Sequence, residues 1–287
     1  MTTTPARSKA ARLARADVPY VTALLERDFG YRQADGWAYE HHYLLDALDR
    51  GEHSRFVVWP DDAPVAVLYF GPSGMLVPAG DPAAAPALAD AANPTGWRIL
   101  LGDIEISQAV LNLATRSLFR RRMSAREQRL MIATTSSVPG GDPPDRFRLA
   151  RASDLERLTD FACQLHVEDQ MGTPILRTGR GAVRARVAES IAQGATWVVD
   201  RGGIPIAKID LSMRSWRRGV QLAGVFVEPQ WRDRGIGGSA VRALIRELLQ
   251  SGFPMVSLHV RADNAPAIAA YRRAGLKDRR PWLLALR

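Results

Sequence analysis

The 287-residue sequence predicts an α/β (α+β) protein of two similar domains, each a central mixed, largely antiparallel sheet flanked by helices. Three observations support this prediction. The chain is nearly twice as long as a domain of roughly 150 residues. Its apolar content of 46% is ordinary for a globular protein. Strand-like and helix-like apolar patterns also alternate in both halves. No uncharged apolar run approaches the ~18 residues of a membrane span, so a membrane-spanning protein is excluded.

A cluster of Ser, Pro and Gly over residues 136–145 predicts a linker between domains 1–135 and 146–287. Two internal repeats support a duplicated fold. Residues 12–17 resemble residues 148–153, and each copy precedes an amphipathic helical pattern. The pattern of an apolar strand, a polar turn and a second strand at 56–66 recurs at 197–207.

The second half contains a regular succession of predicted elements. Strands are expected at 146–151, 196–200, 204–213, 219–227, 255–260 and near 281–286; helices are expected at 154–169, 181–193, 239–250 and 265–274. Loops rich in Gly are expected at 170–180 and 232–238. This order of elements predicts a sheet with helices on both faces.

The net charge of +9 is confined to one half of the chain. Up to Asp145 there are 15 basic and 17 acidic residues, a net charge of −2, whereas the remainder has 24 and 13, a net charge of +11. Such a charge favours an anionic partner.

With Cys163 as the single cysteine, no intrachain disulfide can form. The polar start of the chain lacks an apolar signal segment, so we expect a cytoplasmic protein.

The strongest chemical signal is a strand that leads through a charged turn into three glycines and a helix, residues 225–250. Helix N-termini with glycines hold phosphate groups well. A Walker loop is excluded because the turn lacks lysine. A dinucleotide-binding fingerprint fits poorly, since seven residues separate the strand from Gly235 and no acidic residue stands near position 255.

The pattern Arg232-x-x-Gly235-x-Gly237, followed by the segments 258–267 and 270–276, resembles the GNAT N-acetyltransferase superfamily over residues 146–287. This resemblance implies an N-acetyltransferase that takes acetyl-CoA as cosubstrate and a small-molecule or peptide amine as acceptor. The residues that it implies for acetyl-CoA binding are Phe226, Val227, Arg232, Asp233, Arg234, Gly235, Ile236, Gly237, Gly238, Ser239, Asn264 and Ala267.

The resemblance also implies catalytic roles. Tyr271 corresponds to the family's tyrosine that protonates the departing thiolate, and we favour this role over the alternative that Tyr271 is simply a core aromatic residue. Gln221 occupies the position of the family's general base, but an amide cannot accept that proton. Glu228 is then a candidate base, with Asp210, Glu168 and Asp169 as further carboxylates. A neutral amine could also attack without a strong base once it is positioned.

Other patterns carry less information. Residues 78–82, where the first half should carry the glycine-rich turn, lack it, which predicts a degenerate copy without a cofactor site. The histidines are too scattered for a metal site, so no metal is expected. The arginines at 120–122 are interpreted as a solvated helix face, and no nucleic-acid or membrane partner is expected. Two alternatives stay open: mycothiol-synthase-like acylation of a small thiol-precursor amine, and a non-catalytic acyl-CoA-binding module.

Overall fold

The computed structural model describes residues 9–27, 39–114, 124–135, 137–141, 143–144, 146–169, 175 and 177–287. Contacts divide the chain into two compact units. Unit 1 comprises Met1–Leu130 with Arg279–Arg287, and unit 2 comprises Met131–Asp278. Parts of the expected linker, namely residues 136, 142 and 145, lie outside the described residues, as do the arginines at 120–122.

Unit 1 contains a sheet in which most neighbouring strands are antiparallel. Its helices are α1 (Val18–Glu26), α2 (His42–Asp49), α3 (Ala85–Ala92) and α4 (Ile104–Ala114). Its strands are β1 (Ala11–Arg12), β2 (Phe56–Trp59), β3 (Ala66–Phe70), β4 (Met75–Gly80) and β5 (Ile99–Asp103). A further strand, β6 (Ser124–Ala133), runs across the boundary between the units, and β12 (Lys277–Leu286) contributes its residues from Arg279 onward to unit 1. The strand order is β1-β2-β3-β4-β5-β12.

Unit 2 repeats this arrangement. Its helices are α5 (Leu155–Glu168), α6 (Arg177–Ala192), α7 (Ile236–Gln250) and α8 (Ala265–Arg273). Its strands are β7 (Phe147–Leu149), β8 (Thr196–Arg201), β9 (Ile204–Ser215), β10 (Gly219–Val227) and β11 (Val256–Arg261), in the order β7-β8-β9-β10-β11. All neighbours are antiparallel except β10 and β11. The α/β class predicted from the sequence is confirmed.

Both predicted hairpins are confirmed by strand pairing. In unit 1, Val57 of β2 pairs with Leu68 of β3 in antiparallel register. In unit 2, Val198 of β8 pairs with Lys208 of β9. Most apolar residues on these strands are buried because successive side chains point to opposite faces and helices pack on both faces.

Three elements differ from the sequence-based expectation by three residues or more. Helix α6 begins at Arg177 rather than at 181, inside the expected loop. Helix α7 begins at Ile236 rather than at 239, because Gly237 and Gly238 form part of its first turn. Gly235 precedes the helix at φ 74°, a left-handed conformation that glycine adopts without strain. The last strand begins at Lys277, and from Trp282 to Leu286 it pairs with β5 of unit 1.

Among the residues that the structure describes, no helix combines the length and apolar character needed to cross a membrane. The same residues contain no group of three or more His, Cys, Asp or Glu side chains arranged to hold a metal ion.

Candidate functional site

The candidate site lies where β10 and β11 stop pairing. Their parallel register runs from Val220 and Val256 to Leu222 and Leu258, yet β10 continues to Val227 and β11 to Arg261. On its other edge, the pairing of β10 with β9 is irregular between Ala223 and Phe226. The strands therefore part at their carboxyl ends, where ligands bind in open α/β sheets.

Helix α7 begins at this edge of the sheet. Its first intrahelical contact is the Ser239 N–H donating to the Gly235 carbonyl at 3.0 Å. The N–H groups before Ser239 have no partner one turn earlier in the helix, and they concentrate partial positive charge. A Cβ on Gly237 would lie 3.2 Å from Val227 Cγ2, so the start of the helix packs tightly against the end of β10.

The arginines of the turn have different surroundings. Arg232 Nε donates to the Val227 carbonyl at 2.8 Å, and its Nη2 donates to both carboxylate oxygens of Glu168 at 2.8 Å. Arg232 thus ties the turn to the end of α5. Arg234 instead places its guanidinium 4.9 Å from the centre of the Trp231 ring, and Arg201 lies 4.7 Å from the same ring. Asp233 stands between the two arginines of the turn at φ 59°.

Helix α8 brings Tyr271 into unit 2. Tyr271 is 9% exposed and packs in the core formed by β10, β11, α7 and α8. Burial, and then the negative charge of Asp169, raise the pKa of Tyr271 well above its ordinary value. The Tyr271 hydroxyl is therefore protonated throughout the neutral and mildly alkaline range. A Cβ on Gly238 would lie 3.5 Å from Ala270 Cβ, so the glycine turn also lies close to α8.

Asn264 caps α8, as its sequence position predicts. Its side-chain oxygen accepts a hydrogen bond from the Ala267 N–H at 3.2 Å. This contact satisfies one of the unpaired donors at the start of the helix. Asn264 and Ala267 therefore have a structural role that is independent of any ligand, and they fix where α8 begins.

The candidate bases occupy different places. Gln221 lies on the paired part of β10, opposite Met213 of β9 and Ser257 of β11. Glu228 follows β10 and accepts a hydrogen bond from Arg157 Nη2 at 2.6 Å, with only 13% of its side chain exposed. One carboxylate oxygen of Glu228, a candidate base because Gln221 cannot accept a proton, is therefore already in an ion pair with Arg157 of α5. Phe226 is buried and packs against Phe161, with the ring centres 4.8 Å apart and the ring planes tilted by 39°.

Sequence reasoning missed a buried charge pair beside the parting strands. Lys208 of β9 is 3% exposed and is ion-paired with Asp210 two residues later. A Cβ on Gly224 would collide with both side chains, so the pair lies directly against the irregular part of β10. A lysine inside an apolar strand was the available signal, since the whole chain has only Lys9, Lys208 and Lys277.

Comparisons with known proteins agree with this geometry. Residues 166–276 match the Acetyltransferase (GNAT) family, and this match runs from the end of α5 to α8 and includes the parting strands. This part of the chain is therefore similar to that family. A mycothiol acetyltransferase of Clavibacter sepedonicus is 31% identical over 169 residues, which are 57% of this chain and 51% of that protein. The chain thus matches about half the length of this curated relative.

Solved structures show that the likeness in fold extends beyond residues 166–276. A GCN5-related N-acetyltransferase from Sphaerobacter thermophilus has a TM-score of 0.62 at 16% identity, covering 99% of this chain and 96% of its own. A tandem GNAT protein from the clavulanic acid biosynthesis pathway has a TM-score of 0.53 at 11% identity, covering 96% of both chains. At these identities the likeness concerns the fold alone.

Proposed function

We propose that unit 2 carries a GNAT domain, which transfers an acetyl group from acetyl-CoA to a primary amine by direct attack within a ternary complex. The observation that carries this proposal is the start of α7. Its unpaired N–H groups lie beside strands that part, and the helix of Tyr271 packs against the same glycines. This combination provides an anion-binding helix end and a buried proton donor at one edge of the sheet.

The residues present fit acetyl-CoA. Glycines at 237 and 238 leave the first turn of α7 without side chains, so backbone N–H groups are accessible to a pyrophosphate. Arg234 and the turn that Arg232 stabilises add positive charge. The parting strands leave backbone groups of residues 223–227 for a pantetheine arm and a thioester carbonyl. When bound, acetyl-CoA supplies an acyl group that is activated as a thioester.

Tyr271 is the proposed acid. Acetyl transfer forms an amide C–N bond and breaks a thioester C–S bond, so nitrogen loses one proton and sulfur gains one. Tyr271 gives its proton to the sulfur, and solvent returns to it the proton that the nitrogen releases. The burial that raises the pKa of Tyr271 keeps this proton in place before the reaction.

Unit 1 is proposed to be a copy without a cofactor site. Its corresponding turn contains Pro82, which has no N–H, and the side chain of Asp81 accepts from the Ala83 N–H at 2.8 Å. A carboxylate therefore occupies the position at which an anion would bind. We assign unit 1 a supporting role, and we place the reaction in the cytoplasm.

A second candidate function is acylation of a small thiol-precursor amine. The 31% identity to a mycothiol acetyltransferase favours it. It shares the acetyl-CoA site with the first function and differs only in the acceptor. A third, the non-catalytic binding of acyl-CoA, is motivated by Gln221 at the base position.

The test is a thiol-release assay with acetyl-CoA against a library of amines, including thiol precursors and peptides. We expect thiol release that depends on the amine and is strongly reduced in Tyr271→Phe. Tyr20→Phe is the matched control, because Tyr20 is half-exposed on α1 of unit 1. Tight acetyl-CoA binding without thiol release for any amine would favour the non-catalytic function instead.

A further inference from the structure

A cavity of about 200 Å³ lies between helices α5 and α6 and strands β8 and β9 of unit 2. Aliphatic side chains of the two helices line it on one side. Its polar lining consists of His166, Arg186, Ser190, Thr196, Lys208 and Asp210. A water molecule occupies roughly 30 Å³ of liquid, so this volume accommodates a molecule of about seven non-hydrogen atoms.

The inner end of the cavity is a hydrogen-bonded chain that ends at the parting strands. Asp210 accepts from Lys208 Nζ and, at 3.0 Å, from Thr196 Oγ1, whose oxygen lies 2.8 Å from Ser190 Oγ. Lys208 is buried, whereas 29% of the Asp210 side chain stays exposed. Both side chains lie against Gly224, in the irregular part of β10. Two side chains that line the cavity therefore contact the same stretch of β10 that we assign to the thioester.

A buried ion pair stabilises a fold weakly, since desolvation offsets most of the attraction between the charges. Lys208 and Asp210 neutralise each other, which leaves the sign of the cavity to its other residues. Arg186 on α6 lines the cavity and forms no ion pair with any residue in the described part of the chain. Its neighbour Arg184 on the same helix is paired with Glu156 and does not line the cavity. Among the residues that the structure describes, Arg186 thus adds an unpaired guanidinium to a lining that also includes His166.

We propose that this cavity is the acceptor site of the GNAT domain and that it takes a small amine carrying an anionic group. The amine nitrogen lies at Asp210, next to Gly224, and the carboxylate or phosphate of the acceptor lies at Arg186. The proposal rests on the proposed function and specifies its substrate class. An anionic acceptor would also account for part of the net charge of +11 in residues 146–287, which exceeds what coenzyme A alone requires.

The charge pair suits an amine that must attack. Asp210 accepts a hydrogen bond from the nitrogen and holds it against β10. Because Lys208 already neutralises Asp210, this carboxylate does not stabilise an ammonium as a lone carboxylate would, and the neutral, nucleophilic form of the acceptor can bind there. A guanidinium binds a carboxylate or a phosphate by paired hydrogen bonds, which orients the other end of the molecule.

The test compares 4-aminobutanoate and 2-aminoethyl phosphate with their neutral counterparts, 4-aminobutanamide and 2-aminoethanol. We expect a kcat/KM for acetyl transfer that is higher for an anionic amine by about tenfold or more, since a charge-assisted hydrogen bond contributes at least that factor. The better of the two anionic amines identifies carboxylate or phosphate as the anion. In Arg186→Gln the preference should disappear through a higher KM, with kcat little changed.

Arg184→Gln is the matched control and should retain the preference. Equal kcat/KM for charged and neutral amines, or equal effects of the two arginine variants, would overturn the proposal. Calorimetric titration of the same four amines tests the site without turnover. Binding of an anionic amine that Arg186→Gln abolishes supports the site even if acetyl transfer is absent, and failure of both anionic amines to bind overturns it.

Asp210→Asn should lower kcat for every amine. Because this change can destabilise the buried pair, the double variant Lys208→Gln/Asp210→Asn is measured beside it, since it removes both charges and leaves none unpaired. A double variant that folds and retains wild-type kcat would contradict the placement of the amine at Asp210.

Discussion

The two units share a pair of parallel strands followed by a helix, but the residues at the end of these strands and at the start of the helix differ. In unit 1, parallel pairing of β4 and β5 ends at Leu76 and Leu100, as that of β10 and β11 ends at Leu222 and Leu258 in unit 2. A Cβ on Gly102 of unit 1 would lie 2.6 Å from the Pro78 carbonyl oxygen, so backbone fills the gap between the strands. Helix α3 has eight residues and is preceded by Pro82, whereas α7 has fifteen and starts with glycines.

Helices α8 of unit 2 and α4 of unit 1, which follow these strands, also differ in a residue that matters for the proposed reaction. The seventh residue of α8 is Tyr271, and the seventh residue of α4 is Val110, which is fully buried and has no proton to give. The corresponding positions of unit 1 carry neither the glycines nor the tyrosine, and its strands and helices form without them. We therefore attribute the glycine turn and Tyr271 to the proposed function.

The largest expected effect is a loss of stability when an arginine is replaced in β7 but not in the equivalent strand β1. Arg148 of β7 bonds Asp154 at 2.8 Å and Asp200 at 2.6 Å, both nearly buried, whereas Arg12 of β1 is exposed. Arg148→Met should cost about 3 kcal/mol of unfolding free energy because it removes the guanidinium that is ion-paired with both buried carboxylates. Arg12→Met should stay within about 0.5 kcal/mol. Denaturant unfolding of both variants measures the difference, and equal losses would contradict it.

The same network predicts a dependence of stability on pH. Burial alone would raise the pKa of Asp154, but hydrogen bonds from Arg148 and from the Arg151 N–H bring this pKa below its ordinary value. Burial also acts to raise the pKa of Asp200, and hydrogen bonds from Arg148 and from the Gly203 N–H lower it below its ordinary value. A lowered pKa contributes stability that is present above the unfolded value, near pH 4, and is lost as the pH falls through the folded value. Wild-type protein should therefore lose stability below about pH 4 more steeply than Arg148→Met.

The next effect concerns catalysis. Tyr271→Phe should lower kcat by about 100-fold, as expected for loss of a general acid, with the KM for acetyl-CoA nearly unchanged. Burial, followed by the charge of Asp169, raises the pKa of Tyr271, so the wild-type rate should persist above the ordinary tyrosine range. Asp169→Asn removes one of these causes and should shift the alkaline limit to lower pH. A wild-type kcat in Tyr271→Phe across the pH range would refute this role.

The smallest effect concerns the turn of unit 1. Asp81→Ala removes the side-chain acceptor for the Ala83 N–H and should cost about 1 kcal/mol of stability. Acetyl-CoA affinity and kcat should not change, because unit 1 holds no cofactor in this account. Thermal unfolding followed by the thiol-release assay measures both quantities on one preparation. A changed acetyl-CoA affinity would show that the turn of unit 1 takes part in binding.

Local patterns made much of this fold predictable. Alternating apolar residues located both hairpins, and periodic apolar residues located α5, α7 and α8, because these signals act within a few residues of the chain. The start of α7 was placed three residues late, since glycine is a poor helix former but is tolerated in a first turn that packs against Val227. The Lys208–Asp210 pair and the cavity depend on strand register and on contacts with α5 and α6, which no local pattern encodes.

Calorimetric titration of acetyl-CoA is the most direct test of the contrast between the two units. We predict one binding site per chain. Gly237→Val should weaken the affinity by about 100-fold, the equivalent of losing two charge-assisted hydrogen bonds, because its side chain would push the start of α7 away from β10. Gly181→Val is the control, since a Cβ there meets nothing within 4 Å. Two sites per chain, or an unchanged affinity in Gly237→Val, would contradict the account.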